Sequence, residues 1–209
     1  MTAYADLPDY VWDDKVRAYR YVDTGEIVSD EQMQDLLDDL YDEAADEMAG
    51  LARDAVEKKM TAVLFLLAAA FLLKQLYNVF AALAVGGWAR MTADDWLRNG
   101  VLLSSEYQYL AGMAQDVQAG NLTAVQADAR IRLYMGRAYA RYWELLVRER
   151  MTLDTYTLYR WMDVRDEKEC ADCPQYADQG WVRVGTLGTV PGAGATECLG
   201  ACRCWLEFQ

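Results

Sequence analysis

The cysteines are the sequence feature that most constrains the fold. All five lie in the last forty residues, as Cys170-Ala-Asp-Cys173 and Cys198-Leu-Gly-Ala-Cys202-Arg-Cys204, and the chain has no histidine. Short spacings on either side of a Gly- and Pro-containing loop are typical of a site where two turns present sulfurs to one ion. Without imidazole, tetrahedral Zn²⁺ needs four thiolates. We expect the four ligands to be Cys170, Cys173, Cys202 and Cys204, with Cys198 as a spare or substitute ligand.

Disulfide bonds are the alternative to zinc. Cys202 and Cys204 are too close in sequence to bridge each other easily, so each would need another partner and one cysteine would stay unpaired. Residues 1–14 are polar and acidic, unlike a secretory signal peptide. We therefore expect a reducing compartment, which favours thiolates.

Negative charge is concentrated near the start of the chain. The formal net charge is −13, and residues 1–60 carry 17 acidic and 6 basic side chains. A free-standing nucleic-acid binder would show a basic surface instead. We interpret the acidic residues as the solvated face of a helix.

Helical patterning dominates residues 30–160. Ser29-Asp-Glu-Gln32 is a capping box, and apolar residues follow it at steps of three and four. Thr92 begins a short helix that Asn99-Gly100 closes, and another helix ends at Gly120. Thr123 caps a helix that runs to about Met151. The predicted fold is mainly α, with three parts: an N-terminal arm or hairpin (1–29), a helical domain (30–160) and a small Cys-rich β or zinc-knuckle module (161–209).

The segment from Met60 to Ala89 carries a single charge, Lys74. A membrane span needs about 18–20 uninterrupted apolar residues, whereas Lys74-Gln75 interrupts this run after fourteen. We expect a long helix buried in a bundle or a subunit interface, ended by Gly86-Gly87. A membrane anchor formed by residues 60–85 is the alternative.

Four arginines follow one line on the last long helix. At 100° per residue, their offsets of 7, 4 and 7 place all four within about 20° of one line along the helix; they are Arg130, Arg137, Arg141 and Arg148. Pairing with the acidic first helix is the expected role. The alternative is contact with phosphate, as in packaged DNA, or with an acidic partner.

The sequence favours a non-enzymatic role. Histidine, the commonest general base, is missing, and no Gly-x-Ser-x-Gly elbow or phosphate-binding glycine loop is present. Asp163, Asp166 and Lys168 resemble a metal-nuclease pattern only faintly, since such spacing arises by chance in an acidic chain. An all-thiolate site is normally closed and structural.

The order of motifs in the tail resembles the C-terminal module of tailed-phage minor head proteins, the Mu-F-like head-morphogenesis family. Cys170-Ala-Asp-Cys173, Gly180-Trp181, Pro191-Gly192 and Cys202-Arg-Cys204 match in order. The family often has a histidine just before the last pair. Here Cys198 is the candidate for that ligand position, which leaves the exact set of four open.

The resemblance implies a structural protein of the virion that is present in the host cytoplasm during assembly. Its expected partners are capsid or portal proteins, with self-association and contact to packaged DNA as further expectations. Two other classes stay open: a zinc-stabilised module that binds DNA or a host protein, and a small membrane protein.

Overall fold

The computed structural model describes residues 9–153, 156–164 and 170–209, and it is mainly α-helical with a small C-terminal sheet. The mainly α fold class is confirmed. In chain order, the elements are β1 (Tyr10–Asp13), β2 (Ala18–Tyr21), α1 (Asp30–Val56), α2 (Ala62–Val85), α3 (Ala93–Ala119), α4 (Ala124–Met151), β3 (Leu158–Met162), α5 (Cys173–Ala177), β4 (Val182–Arg183) and β5 (Trp205–Phe208), with single 3₁₀ turns at Trp88–Arg90 and Leu199–Ala201.

The predicted helix caps are confirmed. Ser29 Oγ accepts from the backbone N–H of Gln32 at 3.1 Å, and the Gln32 side chain accepts from the backbone N–H of Ser29. Thr123 begins α4 with the same arrangement. Gly86 ends α2 in the left-handed region, at φ 88°, where glycine carries no steric cost.

The break expected at Asn99-Gly100 is wrong, because α3 runs through it without interruption. Asn99 is buried and donates to Asn78 Oδ1 on α2 at 2.7 Å, while its own Oδ1 accepts from Arg141 on α4. A residue fixed on both sides within the bundle cannot easily leave the helix. Tertiary contact here overrides a local turn signal.

The apolar helix α2 contacts α1, α3 and α4 and is the centre of the bundle. Its C-terminal half, residues 76–85, is buried on every side. Its N-terminal half buries only one face within this chain, so burial in the bundle accounts for residues 76–85, and burial in a subunit interface stays a prediction for the other half. Four large apolar side chains are 54–66% exposed, namely Val63, Leu64, Leu67 and Phe71.

The described part of the N-terminal arm, residues 9–29, is a hairpin that packs onto its own chain. β1 and β2 pair antiparallel, and an Arg20↔Ile27 bridge continues the pairing around a turn at Asp23-Thr24-Gly25. Tyr19 and Val28 join the core. The hairpin of the predicted arm or hairpin is thus present in residues 9–29, and residues 1–8 lie outside the described part of the chain.

The C-terminal module is an antiparallel sheet of order β4-β3-β5 that packs on α1 and α4. β3 begins at Leu158, three residues before the expected boundary at 161. The 3₁₀ turn at Leu199–Ala201 lies directly on α4. A Cβ built on Gly136 would overlap the carbonyl oxygen of Gly200, so only glycine permits this approach.

We predict that Gly136→Ala lowers the free energy of unfolding by about 1–3 kcal/mol, because the added methyl group collides with rigid backbone. Urea unfolding measures the change. Gly112→Ala on α3 is the matched control, since nothing lies within 4 Å of its added Cβ. There the better helix propensity of alanine stabilises by up to about 1 kcal/mol. An equal change in the free energy of unfolding of the two variants would contradict the close contact between α4 and the 3₁₀ turn.

Candidate metal centre and the arginine stripe

The first pair of sulfurs is positioned by the short helix α5. Cys173 is its first residue, Pro174 occupies the first turn, where a missing N–H costs nothing, and Cys170 lies just before it. The ring of Tyr176 stacks on Trp161 of β3, with centroids 4.8 Å apart. The Cys-x-x-Cys turn is therefore fixed to the sheet.

The other three sulfurs surround the 3₁₀ turn that contacts α4. Cys198 precedes the turn, Cys202 ends it, and Cys204 directly precedes β5. Asp172 links the two loops, because its Oδ2 accepts from the backbone N–H of Glu197 at 2.9 Å. Both loops are thus anchored to secondary structure, and their sulfurs face each other.

The structure brings all five cysteines into one cluster with Cys173 at its centre. Its sulfur lies 3.2 Å from that of Cys170, 3.7 Å from that of Cys198 and 3.9 Å from that of Cys202. Two groups of three could each hold a metal ion; they are Cys170/Cys173/Cys198 and Cys173/Cys202/Cys204. A disulfide needs about 2.05 Å, and all five cysteines are free thiols.

The expected quartet of Cys170, Cys173, Cys202 and Cys204 needs one revision. Cys198, described above as a spare or substitute, belongs to the same compact group as Cys170 and Cys173. Thr196 Oγ1 lies 3.1 Å from its sulfur and orients it. Cys198 is therefore an equal candidate for a ligand position.

The cluster is enclosed, and this suits a structural site. Cys173, Cys202 and Cys204 are 2–5% exposed and belong to the hydrophobic core. Burial raises the pKa of the Cys173 thiol far above its ordinary value, and the hydrogen bond that it shares with Cys170 adds to the rise. Thiols crowded in this way hold their protons unless a cation replaces them, so metal binding here releases protons.

The arginine stripe pairs with α3, and the expectation that it pairs with the first helix is wrong. Each of the four guanidiniums lies against a carboxylate of α3. The pairs are Arg130–Asp116 at 2.6 Å, Arg137–Glu106 at 2.8 Å, Arg141–Asp95 at 3.9 Å and Arg148–Asp95 at 2.5 Å. The spacing on α4 was sufficient to find the stripe but not its partner helix.

Arginines outside the stripe make the contacts to α1, and the sequence analysis missed them. Arg132 lies 2.7 Å from Asp46, and Arg150 lies 2.7 Å from Asp30. Arg150 is buried, and its guanidinium lies over the ring of Phe208 at 4.3 Å. In the sequence, Arg150 is simply a basic residue in the last turn of a predicted helix. Such a residue usually indicates only a favourable interaction with the helix dipole.

Asp95 is the centre of a buried polar network. It is fully buried and accepts from the hydroxyl and backbone N–H of Thr92 at 2.7 and 2.9 Å, as well as from Arg148. Arg141, also buried, donates to its backbone carbonyl. Burial raises the pKa of Asp95, but the hydrogen bonds from Arg148 and Thr92 outweigh it and lower the pKa below its ordinary value.

The nuclease pattern is only partly described. Asp163 follows β3 and has a partner, whereas Asp166 and Lys168 lie outside the described residues.

No family model, no curated protein and no solved structure matches this chain.

We predict that Asp95→Asn lowers the free energy of unfolding at pH 7 by about 1.5–3 kcal/mol, because Arg148 and Arg141 lose a charged acceptor. A carboxylate whose pKa is lowered by folding stabilises above its unfolded pKa and loses that effect as pH falls through the folded value. The difference from wild type should therefore shrink below about pH 4. Chemical unfolding at several pH values measures it.

Asp94→Asn is the control, since its pair with Arg98 is exposed on both sides and contributes little. Equal losses in the two variants, or a difference that does not change with pH, would contradict the role of Asp95.

We predict that Cys173→Ser abolishes metal binding, because this sulfur belongs to both candidate groups. Elemental analysis of the purified chain gives the metal-to-protein ratio. Gln175→Ala, on the exposed side of the same short helix, should leave that ratio unchanged. Undiminished metal in Cys173→Ser would rule out the cluster as the binding site.

Proposed function

We propose that this chain is a structural component of a tailed-phage virion, a minor head or portal-proximal protein that acts through protein–protein contacts. One observation carries the proposal, namely the exposed apolar surface on the N-terminal half of α2. Val63, Leu64, Leu67 and Phe71 follow each other at helical spacing and form a stripe along one side of the helix. We call this surface the α2 stripe.

Exposing an apolar stripe of this kind to water is energetically unfavourable for a protein that stays monomeric in solution. The four side chains are large, each is more than half exposed, and the first charged side chain after Thr61 is Lys74. Contiguous apolar surface on a soluble chain usually marks a contact with another protein or with a membrane. A subunit of an assembled shell buries such a surface when it reaches its place.

The motif order of the tail supports the phage assignment within that class. Cys-x-x-Cys, a Gly-containing segment, a Pro-Gly turn and Cys-Arg-Cys follow each other as in the minor head proteins that this chain resembles. β4 directly follows Gly180-Trp181, and β5 directly follows Cys204.

We further propose that the metal is zinc. Four sulfurs at about 2.3 Å from a tetrahedral Zn²⁺ lie about 3.8 Å from one another. The separations of 3.7 Å between Cys173 and Cys198, and of 3.9 Å between Cys173 and Cys202, agree with that geometry, whereas the 3.2 Å between Cys170 and Cys173 is shorter. Zinc would join two loops that have few apolar residues of their own, and it would thereby fix the C-terminal module on α4.

A membrane anchor is the second candidate, because α2 is long and apolar enough to cross a bilayer by length and composition. Half of its most apolar window is buried within the protein, and core helices of soluble proteins meet the same criterion. The burial of residues 76–85 among α1, α3 and α4 favours the contact surface over the anchor.

DNA binding through the arginine stripe has less support. Each of its four guanidiniums faces a carboxylate of α3, so a phosphate would have to displace a partner at every position.

Rate-zonal sedimentation of lysate from the source tests the proposal, with fractions probed for this chain and for DNA-filled particles. We predict that it co-sediments with the particles. Leu67→Asp combined with Phe71→Ser should reduce its incorporation at least tenfold without unfolding it, because both side chains are exposed. Val125→Lys, a single exposed apolar residue on α4, is the control and should incorporate normally.

A slowly sedimenting soluble peak would contradict the virion assignment and favour an interaction module. A floating peak that detergent releases would favour the membrane anchor.

A further inference from the structure

A groove of about 460 Å³ lies where α1, α4 and the C-terminal module meet. α1 forms one wall with Glu31, Gln34, Asp35, Asp38 and Asp42. The opposite wall consists of residues from α4 and from the segment around Cys202, including the arginine of the Cys-Arg-Cys motif. The groove shares Cys202 with the cysteine cluster, whereas the four residues of the α2 stripe lie outside its lining.

The carboxylates of the α1 wall form a regular row. Residues 31, 35, 38 and 42 follow at steps of four, three and four, so they share one face of the helix over about 16 Å. Arg132 and Arg203 are the basic residues of the lining. Arg132 already lies within 4.0 Å of Asp42, Asp46 and Asp128. Negative charge therefore prevails in the groove.

Gln34 supplies an independent indication of a ligand. It is 4% exposed, and its Nε2 donates to Asp38 Oδ1 at 2.7 Å, which fixes which end of the amide faces the carboxylate. Its Oε1 is buried and has no hydrogen-bond partner among the described residues. A buried acceptor without a donor is unfavourable, so a ligand in the groove that donates to Gln34 Oε1 would gain from satisfying it.

Asp38 lies beside this unpartnered oxygen. Its Oδ1 accepts from Gln34 and from the hydroxyl of Tyr139, at 2.6 Å, while Oδ2 makes neither of these bonds. Because one amide group carries both Gln34 atoms, Oε1 lies within about 5 Å of this carboxylate, a span that one planar guanidinium can bridge. Partial burial raises the pKa of Asp38, although the bonds from Tyr139 and Gln34 oppose the rise.

We propose that this groove binds an extended, arginine-bearing segment of a partner protein, with one guanidinium bridging Gln34 Oε1 and Asp38. Alternate side chains of an extended chain point to one side about 6.6 Å apart. On α1, Asp35 lies about 4.5 Å and Asp42 about 6 Å along the helix axis from Asp38. A second arginine two positions along the segment therefore meets the next carboxylate of the row. The assignment stands whether or not the chain is a virion protein.

Isothermal titration of the full-length chain with the peptide Gly-Arg-Gly-Arg-Gly tests the proposal at low salt. Gln34→Met keeps the volume but removes the unpartnered acceptor, and should weaken binding about tenfold. Asp35→Asn, at an exposed site, should weaken it about threefold without risk to the fold. Asp39→Asn removes the same charge from the same helix outside the groove and should leave the affinity unchanged.

Two further ligands identify the source of the cation. Gly-Lys-Gly-Lys-Gly should bind more weakly, because an ammonium cannot span two acceptors as a guanidinium does. Spermidine should bind more weakly still and without dependence on Gln34. The proposal is overturned if no arginine peptide binds at millimolar concentration, if Asp39→Asn weakens binding as much as Gln34→Met, or if spermidine equals the peptide.

Discussion

The structure depends on the contact between Gly136 and Gly200. It brings the backbone of a metal-binding loop against the backbone of α4, at a distance that no side chain allows. Two consequences follow from this one contact. The cysteine cluster becomes part of the hydrophobic core instead of a flexible appendage, and the groove between α1 and the C-terminal module acquires its second wall.

Local sequence signals were sufficient for most of the fold. Capping boxes at Ser29 and Thr123 and the glycine at 86 placed helix ends correctly, because these residues act on backbone groups only a few positions away. The continuity of α3 was not predictable in this way. Its turn-like Asn99 is held by Asn78 and Arg141, which are distant in sequence, and no local pattern reports such contacts.

In the candidate site, too, local sequence predicted some features, and others depended on contacts between distant parts of the chain. Cysteine spacing alone predicted a metal cluster, since four or five thiols at such intervals have few other uses. The spacing could not show whether Cys198 is a ligand, because the position of its sulfur depends on how the two loops meet. The partner of the arginine stripe also required the structure. A helix gives the direction of its side chains, whereas the neighbour that they face is decided by the topology of the bundle, and here that neighbour is α3.

We propose that a closed, sulfur-only zinc site fixes the C-terminal module on the helical bundle. Zinc K-edge X-ray absorption on the purified full-length chain tests it most directly. The account predicts one zinc per chain with four sulfurs at about 2.3 Å and no lighter ligand. Oxygen or nitrogen ligands in the first shell, or a zinc-free chain with disulfides, would contradict it.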